Sequence, residues 1–126
     1  MDAKDLRIGN LITRHDLGTS EPRIETIIEL RKDKVFTSGP VTVICDYEDL
    51  NPVPITDEWL LKLGFTQDGD EYSKDNFIVR LNRRDLVIEG FEYDYNGIVI
   101  STEYFYVHDL QNLYFVIKRQ ELIRKN

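Results

Sequence analysis

The sequence is poor in the residues that build disulfide-stabilised folds and metal centres. Its 126 residues include one cysteine, Cys45, and two histidines, His15 and His108. A single cysteine excludes an internal disulfide and any cysteine-rich zinc site. The two histidines are too far apart in the sequence to provide a metal-ligand spacing. We therefore expect neither a metal nor a cofactor.

Long apolar runs are also absent. No segment approaches the roughly 20 apolar residues that a membrane-spanning helix needs. The first residues, Met1 to Asp5, contain no apolar signal-peptide core. From these two absences we expect a cytoplasmic protein that makes no contact with a membrane.

The motifs of common catalytic sites are missing too. There is no Ser-His-acid arrangement, no glycine-rich phosphate loop and no known nucleophile motif. The acids Asp68, Asp70 and Glu71 lack the spacing of a calcium loop and indicate a solvated hairpin turn. This favours a non-enzymatic protein, and an enzyme or small-ligand domain with an unfamiliar site stays open as an alternative.

Negative charge is abundant and unevenly distributed. The chain has 16 Lys and Arg against 23 Asp and Glu, a net charge of −7. The segment from Thr56 to Ile117 contains 12 acids and 5 bases, while Lys118 to Asn126 contains four bases and one acid. Acidic surfaces disfavour nucleic-acid binding, which depends on basic residues. They keep a domain soluble, or they face a basic partner.

The first half of the chain reads as short strands with tight turns. Predicted strands cover Leu6 to Thr13, Arg23 to Leu30, Val35 to Thr37 and Val41 to Cys45. In the first of these, Leu6, Ile8 and Ile12 are predicted to share one face. In the second, the predicted apolar face consists of Ile24, Thr26, Ile28 and Leu30. This pattern predicts a small curved sheet or a partial barrel.

A proline-rich segment, Pro52 to Pro54, is the best internal boundary between a strand-rich part, 1–51, and a second part, 56–126. We predict one domain with these two sub-halves. Thr56 has the chemistry of a helix N-cap, and Gly64 that of a residue just after a helix end. A short central helix is predicted between them.

The second part reads as an antiparallel meander followed by a helix. Predicted strands run over Glu71 to Ser73, Phe77 to Leu81, Leu86 to Tyr95 and Ile98 to Val107, with a β-bulge at Gly90 and a hairpin turn at Asn96-Gly97. From Asp109 to about Lys118, apolar residues recur at helical spacing. The predicted fold class is α+β, with the C-terminal helix packed on the meander.

The tyrosines of the predicted hairpin are the strongest candidates for a binding surface. Tyr93 and Tyr95 lie on one strand, with Glu92 and Asp94 beside them. Cross-strand packing within the sheet would account for these aromatic residues. The alternative is a tyrosine-rich protein interface within acidic surroundings, with Glu92, Tyr93, Asp94 and Tyr95 as partner-binding residues.

Four other residues have structural interpretations. Cys45 lies in an apolar run, which favours a buried and unreactive thiol. Trp59 is expected to anchor the short helix in the core, with an exposed interaction residue as the alternative. Gln111 and His108 are expected to cap the last helix and to tie it to the sheet.

Three segments resemble a family of small proteins of unknown function from Bacteroidetes genomes and their phages or prophages. They are LRIGNLI (Leu6 to Ile12), PVPITDEWLLKLGF (Pro52 to Phe65) and YVHDLQNLYFVI (Tyr106 to Ile117). After the last block the family often continues Ala-Leu-Thr-Gly-Glu-Glu-Leu, whereas this chain has Val116 to Leu122 without glycine, which would let the helix run further. The resemblance implies a mobile-element or commensal-bacterium origin and implies no activity.

The leading hypothesis is a non-enzymatic cytoplasmic interaction or accessory protein of a phage or mobile element. One alternative is an acidic inhibitor that mimics nucleic acid and occupies the binding surface of a host or defence protein. Another is a small-ligand or enzymatic domain, which a deep pocket holding His108 or Cys45 beside a carboxylate would support.

Overall fold

The computed structural model describes residues 1–14, 23–39, 41–81, 85–89, 98–101 and 105–125. The chain forms two compact units. Unit one contains Met1–Val53 and Val107–Leu113, and unit two contains Pro54–Tyr106 and Tyr114–Asn126. The division after Val53 falls inside the predicted Pro52–Pro54 boundary. The α+β class predicted from the sequence is confirmed.

Unit one contains an antiparallel sheet of five described strands in the order β4-β3-β2-β1-β5. The strands are β1 (Leu11–Arg14), β2 (Arg23–Leu30), β3 (Val35–Ser38), β4 (Thr42–Cys45) and β5 (Leu50–Asn51). A single 3-10 turn, Tyr47–Asp49, separates β4 from β5. The chain therefore crosses from one edge of the sheet to the other through a very short connection.

This short connection requires the sheet to curve. In a flat five-stranded sheet, the outer strands would lie about 19 Å apart, because neighbouring strands are about 4.8 Å apart. The link from Cys45 to Leu50 could span about 17 Å if fully extended. Its 3-10 turn rises only about 2 Å per residue, so its actual reach is shorter. The predicted small curved sheet is confirmed, and in the described residues β4 and β5 do not pair, so the sheet is not a closed barrel.

Two details of the predicted strands are wrong. Residues Ala3–Asp5 form a 3-10 turn and β1 begins only at Leu11, so Leu6 and Ile8 do not share a strand face with Ile12. Ile8 is 60% exposed. The turn here contains Gly9 at φ 99°, and a residue with positive φ ends an extended segment.

The inward face of β2 also differs from the predicted one. The residues that point into the core are Glu25 and Ile27, whereas Ile28 is 41% exposed. The register of β2 against β3 shifts between Ile27 and Glu29, as at a β-bulge. The predicted face assumed that the apolar residues were the buried ones, and the burial of Glu25 breaks that assumption.

Unit two contains a second antiparallel sheet, in which the five described strands follow one another in sequence order. They are β6 (Thr66–Asp68), β7 (Glu71–Lys74), β8 (Phe77–Leu81), β9 (Asp85–Glu89) and β10 (Ile98–Ser101). Asp75 and Asn76 join β7 to β8 with φ of 50° and 67°. Two successive positive φ angles match the twist of the flanking strands in a two-residue hairpin. The predicted meander is thus present where the structure describes it, and the predicted bulge at Gly90 and turn at Asn96-Gly97 lie outside the described residues.

The short helix α1 (Asp57–Lys62) has the predicted ends. The Thr56 hydroxyl accepts a hydrogen bond from the Trp59 backbone N–H at 3.2 Å. At the other end Gly64 has φ 93°, and the N–H of Phe65 donates to the Leu60 carbonyl at 3.1 Å. These bonds form a Schellman motif, which satisfies carbonyl groups that the helix itself leaves unpaired. Leu60, fully buried, anchors the helix, while Trp59 is only half-buried.

The core of unit two is aromatic and aliphatic. Phe65, Phe77 and Tyr114 contact one another edge to face, with ring centroids 5.2 to 6.4 Å apart. Leu86 and Ile88 are both buried, so they share the inward face of β9.

Helix α2 spans Val107–Lys118 and begins two residues before its predicted start. Its residues through Leu113 belong to unit one and the rest to unit two. The helix ends at the predicted Lys118 although no glycine follows. Arg119 adopts φ 58° and its N–H donates to the Phe115 carbonyl at 2.8 Å, so arginine occupies the left-handed position that glycine usually takes.

Candidate functional site

The predicted partner-binding residues Glu92, Tyr93, Asp94 and Tyr95 lie outside the described residues. The structure therefore does not test whether these four residues lie close together. The tyrosine interface therefore stays a prediction.

Strand β4 presents an exposed apolar edge in unit one. Its register pairs Cys45 with Val35 and Ile44 with Phe36. Because Val35 is buried, Cys45 points to the interior and Ile44 to the outer face. Ile44 is 58% exposed and Val41, just before the strand, is 64% exposed.

The free side of β4 is chemically open to another strand. Within the described ranges β4 pairs only with β3, so alternate backbone N–H and C=O groups point away from the sheet. Natural edge strands are commonly protected by charged side chains or proline. The segment Thr42–Cys45 contains neither, and it is only four residues long.

Acidic side chains follow directly after this edge. Asp46, Glu48 and Asp49 are all exposed. Asp46 forms an ion pair with Lys34, and this hydrogen bond together with the attraction of the carboxylate raises the pKa of Lys34. The Asp46 backbone N–H donates to the Asp49 carboxylate at 3.1 Å. The carboxylate of Glu48 extends the negative surface at the end of β4.

The interior of the same sheet contains a buried ion pair. The guanidinium of Arg14 donates two hydrogen bonds to Glu25, at 3.2 and 2.9 Å, and the Thr37 hydroxyl donates a third to the same carboxylate at 2.5 Å. Glu25 is 2% exposed and Thr37 is fully buried. A Cβ at Gly39 would lie 3.0 Å from Glu25 Oε2, so glycine leaves room for the carboxylate. The cluster joins β1, β2 and β3 by side-chain bonds and is enclosed by the sheet.

The beginning of α2 is tied to β1 as predicted. The Gln111 side chain accepts from the Leu11 backbone N–H at 2.8 Å and donates to the Gly9 carbonyl at 3.1 Å. Asn112 donates to the Asp5 carbonyl at 3.0 Å and accepts from Asn10 at 2.8 Å. The Gln111 amide satisfies a buried backbone N–H of β1. The predicted tie between Gln111 and the sheet is confirmed.

Two potentially reactive side chains in unit one are held in their neutral forms. Burial lowers the pKa of His108, against the opposing attraction of Asp109 and Asp5. Burial likewise raises the pKa of the Cys45 thiol, while nearby Arg14 acts in the other direction. Cys45 packs against the apolar core cluster. A protonated and partly buried thiol is a poor nucleophile, in agreement with the predicted unreactive cysteine.

A polar cleft of about 620 Å³ lies in unit two. It is bounded by the end of α1, the β7–β8 hairpin and the segment near Lys125. Its charged lining residues are Glu71, Lys74, Asp75 and Lys125. Neither His108 nor Cys45 lines this cleft. It is therefore not the predicted pocket with His108 or Cys45 beside a carboxylate, which would have supported an enzyme.

Metal-binding clusters and membrane-spanning helices are both absent from the described residues. No group of three or more histidine, cysteine, aspartate and glutamate side chains that could hold a metal ion occurs there. None of the helices in the described ranges has the length and apolar character needed to cross a membrane.

Comparison with known proteins adds no relative. A scan against protein-family models, a search of curated proteins and a search of solved structures each found no match.

Sequence reasoning did not single out the β4 edge or the Lys74–Lys125 cleft. The apolar residues of β4 are evident in the sequence. Their position at the edge of the sheet depends on the order of the strands, which the local sequence does not determine. Lys74 and Lys125 are 51 residues apart in the sequence, and no motif links them.

Proposed function

We propose that this chain is a protein-interaction module that receives an extended segment of a partner protein as an additional strand along β4. The observation that carries the proposal is the exposed edge itself, an uncharged strand with Ile44 58% exposed. Strand addition uses main-chain hydrogen bonds for affinity and alternate side chains for specificity. The acids that follow β4 favour a partner segment that combines apolar residues with lysine or arginine.

The wider setting of the module belongs to the same proposal. The resemblance of three sequence blocks supports an accessory role in a Bacteroidetes phage or mobile element, and the sequence features support a cytoplasmic location. The net charge of −7 supports a protein partner over a nucleic acid. An unidentified protein with a basic, apolar segment is thus the proposed partner.

A substitution at the edge, with a matched control, tests the proposal. Ile44→Lys places a charge on the outer face of β4, and Ile8→Lys makes the same change at an equally exposed isoleucine outside the sheet. Wild type and both variants are used to purify partners from the native host, with melting temperatures measured alongside. We expect Ile44→Lys to lose at least tenfold of a captured protein that Ile8→Lys retains. Equal capture by all three chains would contradict the proposal.

Salt and amide exchange separate strand addition from an acidic mimic of nucleic acid. Main-chain and apolar contacts should persist in about 0.5 M salt, where screening weakens surface charge interactions. The bound partner should also slow hydrogen exchange of those β4 amides that point away from β3, which alternate along the strand. Loss of binding in high salt without this protection would instead support the acidic mimic.

A further inference from the structure

We propose that the cleft beside Gly64 binds a small organic monoanion, a carboxylate that also carries neutral hydroxyl groups, through Lys74 and Lys125. The cleft uses other residues than the β4 edge, and this inference does not rest on the proposed function.

Lys74 and Lys125 converge on the glycine that ends α1. A Cβ at Gly64 would lie 2.9 Å from Lys74 Nζ and 3.4 Å from Lys125 Cε, so both side chains reach the space that this residue leaves empty. Backbone pairing fixes the two main-chain positions: Lys74 pairs with Phe77 across the hairpin, and the Lys125 N–H donates to the Lys62 carbonyl at 2.7 Å. Both lysines therefore line the same cleft.

The two ammonium groups keep unused binding capacity. Lys74 Nζ donates one hydrogen bond, at 3.3 Å, to the Leu63 carbonyl, and an ammonium has three donors. Among the described residues neither lysine forms an ion pair, although Arg14, Arg31, Lys34, Lys62 and Arg80 all do. In a chain with a net charge of −7, two neighbouring cations without a carboxylate partner favour an external anion.

The acids of the cleft are already engaged and limit the charge of the ligand. Glu71 pairs with Arg80 at 3.4 Å, and Asp75 accepts a hydrogen bond from the Tyr114 hydroxyl at 3.1 Å. Both carboxylates would repel a doubly charged phosphate more strongly than a single carboxylate. The ligand therefore carries one negative charge.

The remaining lining is neutral and, apart from Gly64 and the apolar Ile78, polar. Thr66 and Ser73 contribute hydroxyl groups and Asn76 an amide, which suit hydroxyl groups of a ligand. The volume of about 620 Å³ lies within the range of small-molecule sites, roughly 300 to 1,000 Å³. A small hydroxylated carboxylate matches both the size and the chemistry.

The test is a titration of the purified full chain followed by amide NMR. The probes are D-gluconate, acetate and inorganic phosphate. We expect D-gluconate to shift the amide signals of Gly64, Ser73 and Lys74 saturably, and acetate and phosphate to bind more weakly. Lys74→Gln and Lys125→Gln should each weaken D-gluconate binding at least tenfold, as expected for a lost charge-assisted hydrogen bond.

Lys32→Gln is the matched control, because Lys32 is an exposed lysine in a turn of unit one and should bind D-gluconate like the wild type. Melting temperatures show whether each variant folds. Lys125→Gln keeps the backbone bond to Lys62, so it decides the test if Lys74→Gln is unstable. No saturable shift, equal loss in Lys32→Gln, or phosphate or acetate binding as tightly as D-gluconate would overturn the proposal.

Discussion

The two units bury different chemistry around sheets of the same size. Unit one encloses an ion pair, a threonine hydroxyl and a set of side-chain amides, whereas unit two is centred on Phe65, Phe77 and Tyr114. A buried polar group contributes only when every partner is in place, while apolar contacts add up one by one. The difference teaches that unit one, beside its apolar core cluster, depends on a few exact polar pairings, whereas unit two depends mainly on the packing of apolar side chains.

The largest expected effect is the removal of one partner from the buried ion pair. Glu25→Ala leaves Arg14 buried beside a cavity without the carboxylate that it pairs with, which should cost about 3–5 kcal/mol of unfolding free energy. Urea denaturation measures it. Glu29→Ala is the control, since the exposed Glu29–Arg31 pair should contribute less than about 1 kcal/mol.

A second change separates pairing from packing at this site. A buried ion pair can often be replaced by apolar residues. Arg14→Leu and Glu25→Leu, combined with Thr37→Val so that the buried hydroxyl does not lose its acceptor, should therefore recover most of the lost stability. If this triple variant is as unstable as Glu25→Ala, the pairing account of unit one is wrong.

A backbone substitution in unit two should have the next largest effect. Gly64→Ala forces a side chain into a backbone with φ 93°, and the flexible end of Lys74 must move aside, at an expected cost of about 1–3 kcal/mol. Gly69→Ala also has a positive φ, but its value of 65° lies close to the left-handed region that other residues adopt, and nothing lies within 4 Å of its added Cβ. Thermal unfolding should therefore show the smaller loss for Gly69→Ala, and equal losses would contradict this difference in backbone strain.

A polar bond at the aromatic centre of unit two should contribute less. Tyr114→Phe removes the hydroxyl that donates to Asp75, which should cost about 0.5–1.5 kcal/mol near neutral pH. Burial and Asp75 raise the pKa of Tyr114 to about 12 from an ordinary 10. The unfolded chain thus loses this proton first, and the wild type should lose stability relative to the variant as pH rises from 10 towards 12. A constant difference across this range would contradict the assignment.

The smallest effect is expected from the buried histidine of unit one. Burial holds the pKa of His108 below its ordinary 6.5, so the unfolded chain binds a proton before the folded chain does. The contribution of the neutral His108 to the free energy of unfolding is complete above pH 6.5, and stability should fall as the pH decreases below 6.5. Denaturation at several pH values should show a steeper fall for the wild type than for His108→Gln, and parallel curves would contradict the prediction.

Local signals in the sequence predicted the local structure well. Thr56 and Gly64 mark the ends of α1 because capping depends on residues within one turn of the helix. The inward position of Glu25 could not be predicted in this way, because it depends on Arg14 lying on the neighbouring strand. The same holds for β4, whose place at the edge follows from the order of all five strands.

The short connection between β4 and β5 also bears on how unit one folds. Strands β2, β3 and β4 form hairpins between neighbours in sequence, but β5 must find β1, where Leu50 pairs with Arg14. Closing a longer loop costs more chain entropy, with a logarithmic dependence on its length. We expect the β2–β4 hairpins to form early and the β1–β5 pairing to be the late, rate-limiting event. The two-residue strand β5 would then control the folding speed of a sheet in which it is the shortest member.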